Sequence, residues 1–301
     1  MKHHKVYLIL AHKSPNHLRL LIDSLQDGNS TFFIHVDKKV NINDFTFIKN
    51  KKNVFFTEKR VHCNWGGFSL VEATLIGLNA IYEYCKLRNI VTYHAILLSG
   101  QDLPLKHNSK IQEFLANKVG QSVFNYWELP YKNWWDGGMF RLNKVYFFNV
   151  RSQQKLNLKI NKWLIRLRIK KFYPINRIKR IDYNFKLYGS SQWFILSENA
   201  LKALFLEKEL YNKLSSALRY AFAPDELFFI NFFKHIELKT NLKILNLKTT
   251  YVEFKGADAN PKFVEMSDLN KDFDDSVLFG RKFDLNKNAR VVKEIIKRVS
   301  P

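Results

Sequence analysis

The sequence predicts an α/β protein with a mostly parallel central sheet flanked by helices. Three observations point there: short apolar runs alternate with segments of helical spacing, the runs are continuous as in strands covered on both faces, and two of them end on His12 and Asp37. Ligands of such sheets bind beyond the carboxyl ends of the strands, which is where these two residues would sit.

Residues 5–12 read as the first strand, Lys13-Ser14-Pro15 as a loop, and Leu18, Leu21 and Leu25 as one face of a helix. Residues 31–37 and 54–56 supply two more strands. Ser69-Leu70-Val71-Glu72 has the pattern of a capping box and opens a helix whose Leu75, Leu78, Ile81 and Tyr82 share a face. Residues 94–99 form another strand with 100–105 as the loop after it, and residues 123–127 lead into an aromatic loop with Trp134, Trp135, Gly137 and Gly138. A turn at Gly189 precedes a strand to Ser197 and a helix through Ala200 and Leu204. Pro224 suits the first position of a helix, so Asp225 and Glu226 fall in its first turn, where free amides and the dipole favour negative charge. Glu226 is therefore expected to stay ionised at neutral pH, ready to accept a proton from a hydroxyl. A strand at 250–254, a polar loop, the segment 278–284 and a basic helix complete the chain.

The 301 residues are 46% hydrophobic and 15% aromatic, enough for a full core. No uncharged apolar run reaches membrane-spanning length, which predicts a cytoplasmic protein, peripheral at most on the inner face of the membrane. Cys63 and Cys85 are too few for a disulfide framework or a thiolate zinc site. Lys and Arg number 49 against 27 Asp and Glu, so an anionic partner is expected: nucleic acid, membrane surface or a phosphate-bearing substrate. Residues 151–186 carry twelve basic side chains and one acid, with Lys159, Lys162, Arg166, Arg168, Lys170 and Lys171 interleaved among Ile160, Trp163, Leu164, Leu167 and Phe172. That is an amphipathic basic helix of the kind that lies on anionic lipid. No nucleic-acid motif accompanies it, so nucleic acid is not the expected partner, although a non-catalytic nucleic-acid or membrane-binding protein is the alternative from another class.

Six motifs together resemble the core-2/I-branching N-acetylglucosaminyltransferase family, which includes peptide O-xylosyltransferases. They are His35-Val36-Asp37, Trp65-Gly66-Gly67, 98–104 (Leu-Ser-Gly-Gln-Asp-Leu-Pro), 189–194 (Gly-Ser-Ser-Gln-Trp-Phe), Ala223-Pro224-Asp225-Glu226 and 278–284 (Leu-Phe-Gly-Arg-Lys-Phe-Asp), in family order. The resemblance implies one GT-A-like domain over 1–301, with a nucleotide-binding half at 1–130 and an acceptor-binding and catalytic half at 131–301. It implies an inverting transferase that moves a sugar, N-acetylglucosamine first and xylose as the alternative, from a UDP-sugar to a glycan hydroxyl; the membrane anchor and several disulfides of animal members are not seen in this sequence, so an enzyme of the bacterial type is expected. The acceptor would be a surface polysaccharide or lipooligosaccharide made at the inner membrane. Glu226 matches the general base, Asp37 the contact to uracil, and Lys282 a cation at the diphosphate, with Lys262 or Arg281 as its partner. His12 is added on the donor side. Glu128, Lys132, Arg141 and Trp193 are placed on the acceptor side. No metal or other cofactor is expected, and Asp272-Phe273-Asp274 is read as a solvated turn.

Overall fold

The computed structural model describes residues 3–147, 154–182, 185–255 and 260–299. In chain order its elements are β1 (His4–Ala11), α1 (Pro15–Leu25), β2 (Ser30–Val36), α2 (Thr46–Lys49), β3 (Val54–Phe56), α3 (Ser69–Leu87), β4 (Tyr93–Ser99) and β5 (Asp102–Pro104). Then follow α4 (Asn108–Ala116), β6 (Gln121–Glu128), α5 (Gln154–Arg166), α6 (Pro174–Lys179), β7 (Tyr188–Ser197), α7 (Glu198–Leu206), α8 (Lys208–Leu218), α9 (Phe228–Glu237), β8 (Lys243–Asn246), β9 (Thr250–Tyr251), β10 (Phe279–Arg281) and α10 (Ala289–Val299). The main sheet has the order β3-β2-β1-β4-β7-β6-β8, and β7 alone runs against the rest. The mostly parallel α/β architecture is as the sequence predicts.

Alternate side chains of β1 feed two cores. Val6, Leu8 and Leu10 pack under α3, α7, α8 and α9 on one face, whereas Tyr7, Ile9 and Ala11 pack under α1, α10 and the segment around Phe45 and Ile48 on the other. Burial on both faces explains the unbroken apolar runs in the sequence. A second sheet, β5-β10-β9, joins residues that lie far apart in the chain and ties 102–104 to the carboxyl-terminal motif.

Four local expectations differ from the structure. The segment 100–105 is partly strand, because β10 pairs with it in antiparallel register. Ser69 does not cap α3; its hydroxyl instead accepts from the Asn64 amide at 2.8 Å, which fixes the preceding turn. Pro224–Glu226 form a separate 3₁₀ turn and α9 begins only at Phe228, so Glu226 precedes that helix instead of lying in its first turn. The strand at 250–254 is cut to β9, with a lone bridge from Phe254 to Pro261 beyond it.

The cores also hold histidines. His3, His17 and His35 are buried, and burial depresses each to about 4; His94, next to His3, is lowered too. His35 Nε2 accepts from the Val61 amide at 3.2 Å, a bond that protonation would remove. A histidine depressed in the folded state contributes stability above its unfolded value near 6.5, and that contribution is lost as pH falls toward 4. Asp225, pushed up to about 7 by burial and then by Glu226, acts in the opposite direction as a single group. Thermal unfolding followed by circular dichroism should show a melting temperature that drops between pH 6.5 and 4; a flat profile over that window would contradict this assignment.

Candidate active site

The carboxyl ends of β1, β2 and β4 and the start of the reversed strand β7 meet at one edge of the sheet. That edge opens into a cleft of about 740 Å³, within the range of small-molecule sites. Reversal of β7 is what delivers Ser190, Ser191, Gln192 and Trp193 to the same edge as His12, Asp37 and Ser99.

Glu226 lines this cleft, its side chain about one-third exposed, with Oε2 2.7 Å from Arg141 Nη1. Burial raises the Glu226 carboxyl and the Arg141 guanidinium lowers it, so its ionisation depends on that arginine rather than on a helix end. Arg141 is itself held by rings: its guanidinium carbon lies 4.1 Å from the centre of Trp134, 5.4 Å from Phe140 and 5.8 Å from Phe222. Asp225 is buried and does not line the cleft.

The turn Trp65-Gly66-Gly67 positions the segment that carries Glu226. Gly66 accepts from the Ala223 amide at 2.9 Å, and the Phe222 amide donates to the Arg141 carbonyl at 3.2 Å. Gly66 has φ +73°, and a Cβ there would sit 3.1 Å from the Phe222 ring, so glycine serves both the backbone and the contact. Trp65, half exposed, stands edge-on to Phe222 at 5.5 Å and lines the cleft. Gly189 makes room for the aromatic wall: a Cβ there would fall 2.9 Å from both Trp127 and Trp134.

Also lining the cleft, Asp37 accepts at Oδ1 from the amides of Lys39 (2.9 Å) and Cys63 (3.3 Å), and Lys39 Nζ is 3.7 Å from Oδ2. Arg281 lies between buried Asp102 (3.7 Å) and the Trp193 ring (4.2 Å), its charge already matched. The backbone amide and hydroxyl of Ser99 donate to Asp102 at 2.8 and 2.7 Å, which explains why that acid stands alone in its motif. Lys282 also lines the cleft and has no ion-pair partner among the described residues; burial and the charge of Arg281 lower its pKa. His12, exposed at the end of β1, completes this side.

Of the residues singled out in sequence, His12, Asp37, Arg141, Trp193, Glu226, Arg281 and Lys282 share the cleft. Glu128 and Lys132 do not; both are exposed beside it. Lys262 is also outside the lining, engaged by Glu253 at 3.2 Å and Asp268 at 3.3 Å. Sequence reading missed Lys248, a cleft-lining lysine without an ion pair among the described residues. It also passed over the position of Arg141 against Glu226, which no spacing in the chain announces. Asp272 and Asp274 are exposed in a turn, as expected, with Asp274 accepting from the Ser276 amide. Among the described residues no three His, Cys, Asp or Glu side chains cluster as metal ligands, and no helix is long and apolar enough to cross a membrane.

Among solved structures, the apo crystal structure of mouse xyloside xylosyltransferase 1 aligns over 82% of this chain and 88% of its own, at 12% identity and a TM-score of 0.38. No curated protein matches the chain. The family model described as core-2/I-branching enzyme matches residues 6–277, a span that contains every cleft residue except Arg281 and Lys282. The chain thus belongs to the core-2/I-branching enzyme family and is a glycosyltransferase.

Proposed function

We propose that the cleft transfers a sugar, N-acetylglucosamine in the first instance, from a UDP-sugar to a hydroxyl of a bacterial surface glycan, with inversion. The observation that carries this reading is one carboxylate, Glu226, held by Arg141 in the same cleft as Asp37 and two cations, Lys248 and Lys282, that have no acidic partner among the described residues. The acceptor hydroxyl gives its proton to Glu226 as its oxygen attacks the anomeric carbon. The bond from that carbon to the diphosphate oxygen breaks on the opposite face, and UDP leaves with the electron pair.

A diphosphate needs no proton from a general acid if its charge is met electrostatically. Lys282 is the proposed first cation and Lys248 the second, in place of Lys262 and Arg281, whose charges are met by Glu253, Asp268 and Asp102. Asp37 is the proposed contact to uracil. The half-exposed ring of Trp65 and the wall of Trp134, Phe140 and Phe222 would receive the apolar face of the acceptor sugar beside the base. The Phe279-Gly280-Arg281-Lys282-Phe283 sequence keeps xylose as the second donor reading.

Glu226→Gln should lower transfer by about 10³-fold while UDP-sugar affinity, measured by calorimetry, stays unchanged. Activity within tenfold of wild type would assign the base elsewhere. Because Arg141 lowers the carboxyl of Glu226, Arg141→Gln should move the acid limb of the kcat/KM profile to higher pH; an unmoved limb would separate the two residues functionally. Lys282→Ala and Lys248→Ala should each weaken UDP by about tenfold and leave uridine unaffected, with Lys262→Ala affecting neither and transfer surviving EDTA. Loss of transfer on chelation would refute the cationic pair.

A further inference from the structure

Helix α5 leaves four large apolar side chains exposed beside its charged face. Its buried stripe is Asn157, Asn161 and Leu164, spaced i, i+4, i+7. Asn161 makes a two-way clamp: its Oδ1 accepts from the Val145 amide at 2.9 Å, and its Nδ2 donates to the carbonyls of Val145 (2.8 Å) and Asn157 (2.7 Å). The opposite side carries Lys155, Lys159, Lys162 and Arg166, all exposed and at i, i+4, i+7, i+11. Along one edge of that basic stripe lie Leu158 and Ile165, 55% and 67% exposed. Along the other lie Leu156 and Trp163, 41% and 57% exposed. Asparagines inward with tryptophan, isoleucine and leucine outward is costly in water and calls for a cover.

We propose that this side of α5 docks on an anionic lipid bilayer, with the basic stripe on the headgroup phosphates and the two apolar edges, Trp163 foremost, entering the interface. The lysine and arginine stems are long enough to lie along apolar surface while their charges stay in the headgroups. A second copy of the chain is a poor cover, because it would set the same cations against each other in a molecule of net charge +22. Nucleic acid would match the charge but leave Leu158 and Ile165 bare. This surface is separate from the cleft, so the proposal holds or fails independently of the sugar-transfer reading.

Flotation with vesicles at near-physiological salt tests it. The full chain should float with phosphatidylcholine–phosphatidylglycerol vesicles and not with phosphatidylcholine alone, and Lys159→Glu with Arg166→Glu should weaken binding about tenfold or more. Lipids brominated in the acyl chain should quench tryptophan emission of the wild type and quench Trp163→Phe much less, a readout that needs no disruptive substitution. UDP-sugar transfer to a soluble acceptor should be the same in all these variants. Equal binding to both vesicle types, binding to neither, unchanged quenching in Trp163→Phe, or a dimer in light scattering that Ile165→Ser dissociates would each overturn the proposal.

Discussion

The arrangement of the site depends on the contact between Arg141 and Glu226. A carboxylate in a recess walled by aromatic rings drifts toward its neutral form, which cannot accept a proton; a guanidinium 2.7 Å away opposes that drift. The arginine must then be prevented from folding over the carboxylate or leaving for solvent. Trp134, Phe140 and Phe222 hold it from the side, and its own backbone carbonyl accepts from the Phe222 amide, one residue before the left-handed Ala223 that leads into the turn of Glu226. Arg141, the rings and Glu226 are thus one unit, tied to the Trp65-Gly66-Gly67 turn by the bond from the Ala223 amide to Gly66 and by the contact of Phe222 with Trp65.

That unit stands at the sheet edge because of topology. Parallel strands leave their carboxyl ends open on one side, and the reversed β7 adds its amino end to the same side. The small sheet then brings the carboxyl-terminal motif back to residues 102–104, which places Arg281 and Lys282 in the cleft beside His12, just after β1. Antiparallel pairing of β5 with β10 also explains why Asp102 is fully buried: it is the counter-charge that lets Arg281 lie under Trp193.

The sheet was legible in the sequence because continuous apolar runs have few other homes, and β1, β2 and β4 fall where those runs are. Features that depend on contacts between distant residues were not legible. Ser69 has the spacing of a cap but spends its hydroxyl on Asn64, and Pro224 has the preference of a helix start but forms a turn of its own, since Ala223 is bound back to Gly66. At the site, Glu226, Asp37 and Lys282 were found through short motifs. Lys248 lies in no such motif, and Lys262 looked equivalent until its acidic neighbours were in view.

Those neighbours show how an excess of positive charge is distributed rather than merely carried. Tyr251, Glu253, Lys262, Asp268 and Lys271 close into one network next to the cleft, with Lys271 Nζ 2.8 Å from Glu253 and 2.7 Å from Asp268. The paired lysines brace the segment that follows β9 against the turn before residue 271, a structural use of charge. Lys248 and Lys282 line the cleft without such partners among the described residues, which leaves their charge unmatched there. The same division operates on α5, where the asparagines do the structural bonding and the cations face outward. Which cations are paired with an acid and which are left unpaired at the cleft is set by contacts between distant residues, a property that residue type and spacing do not encode.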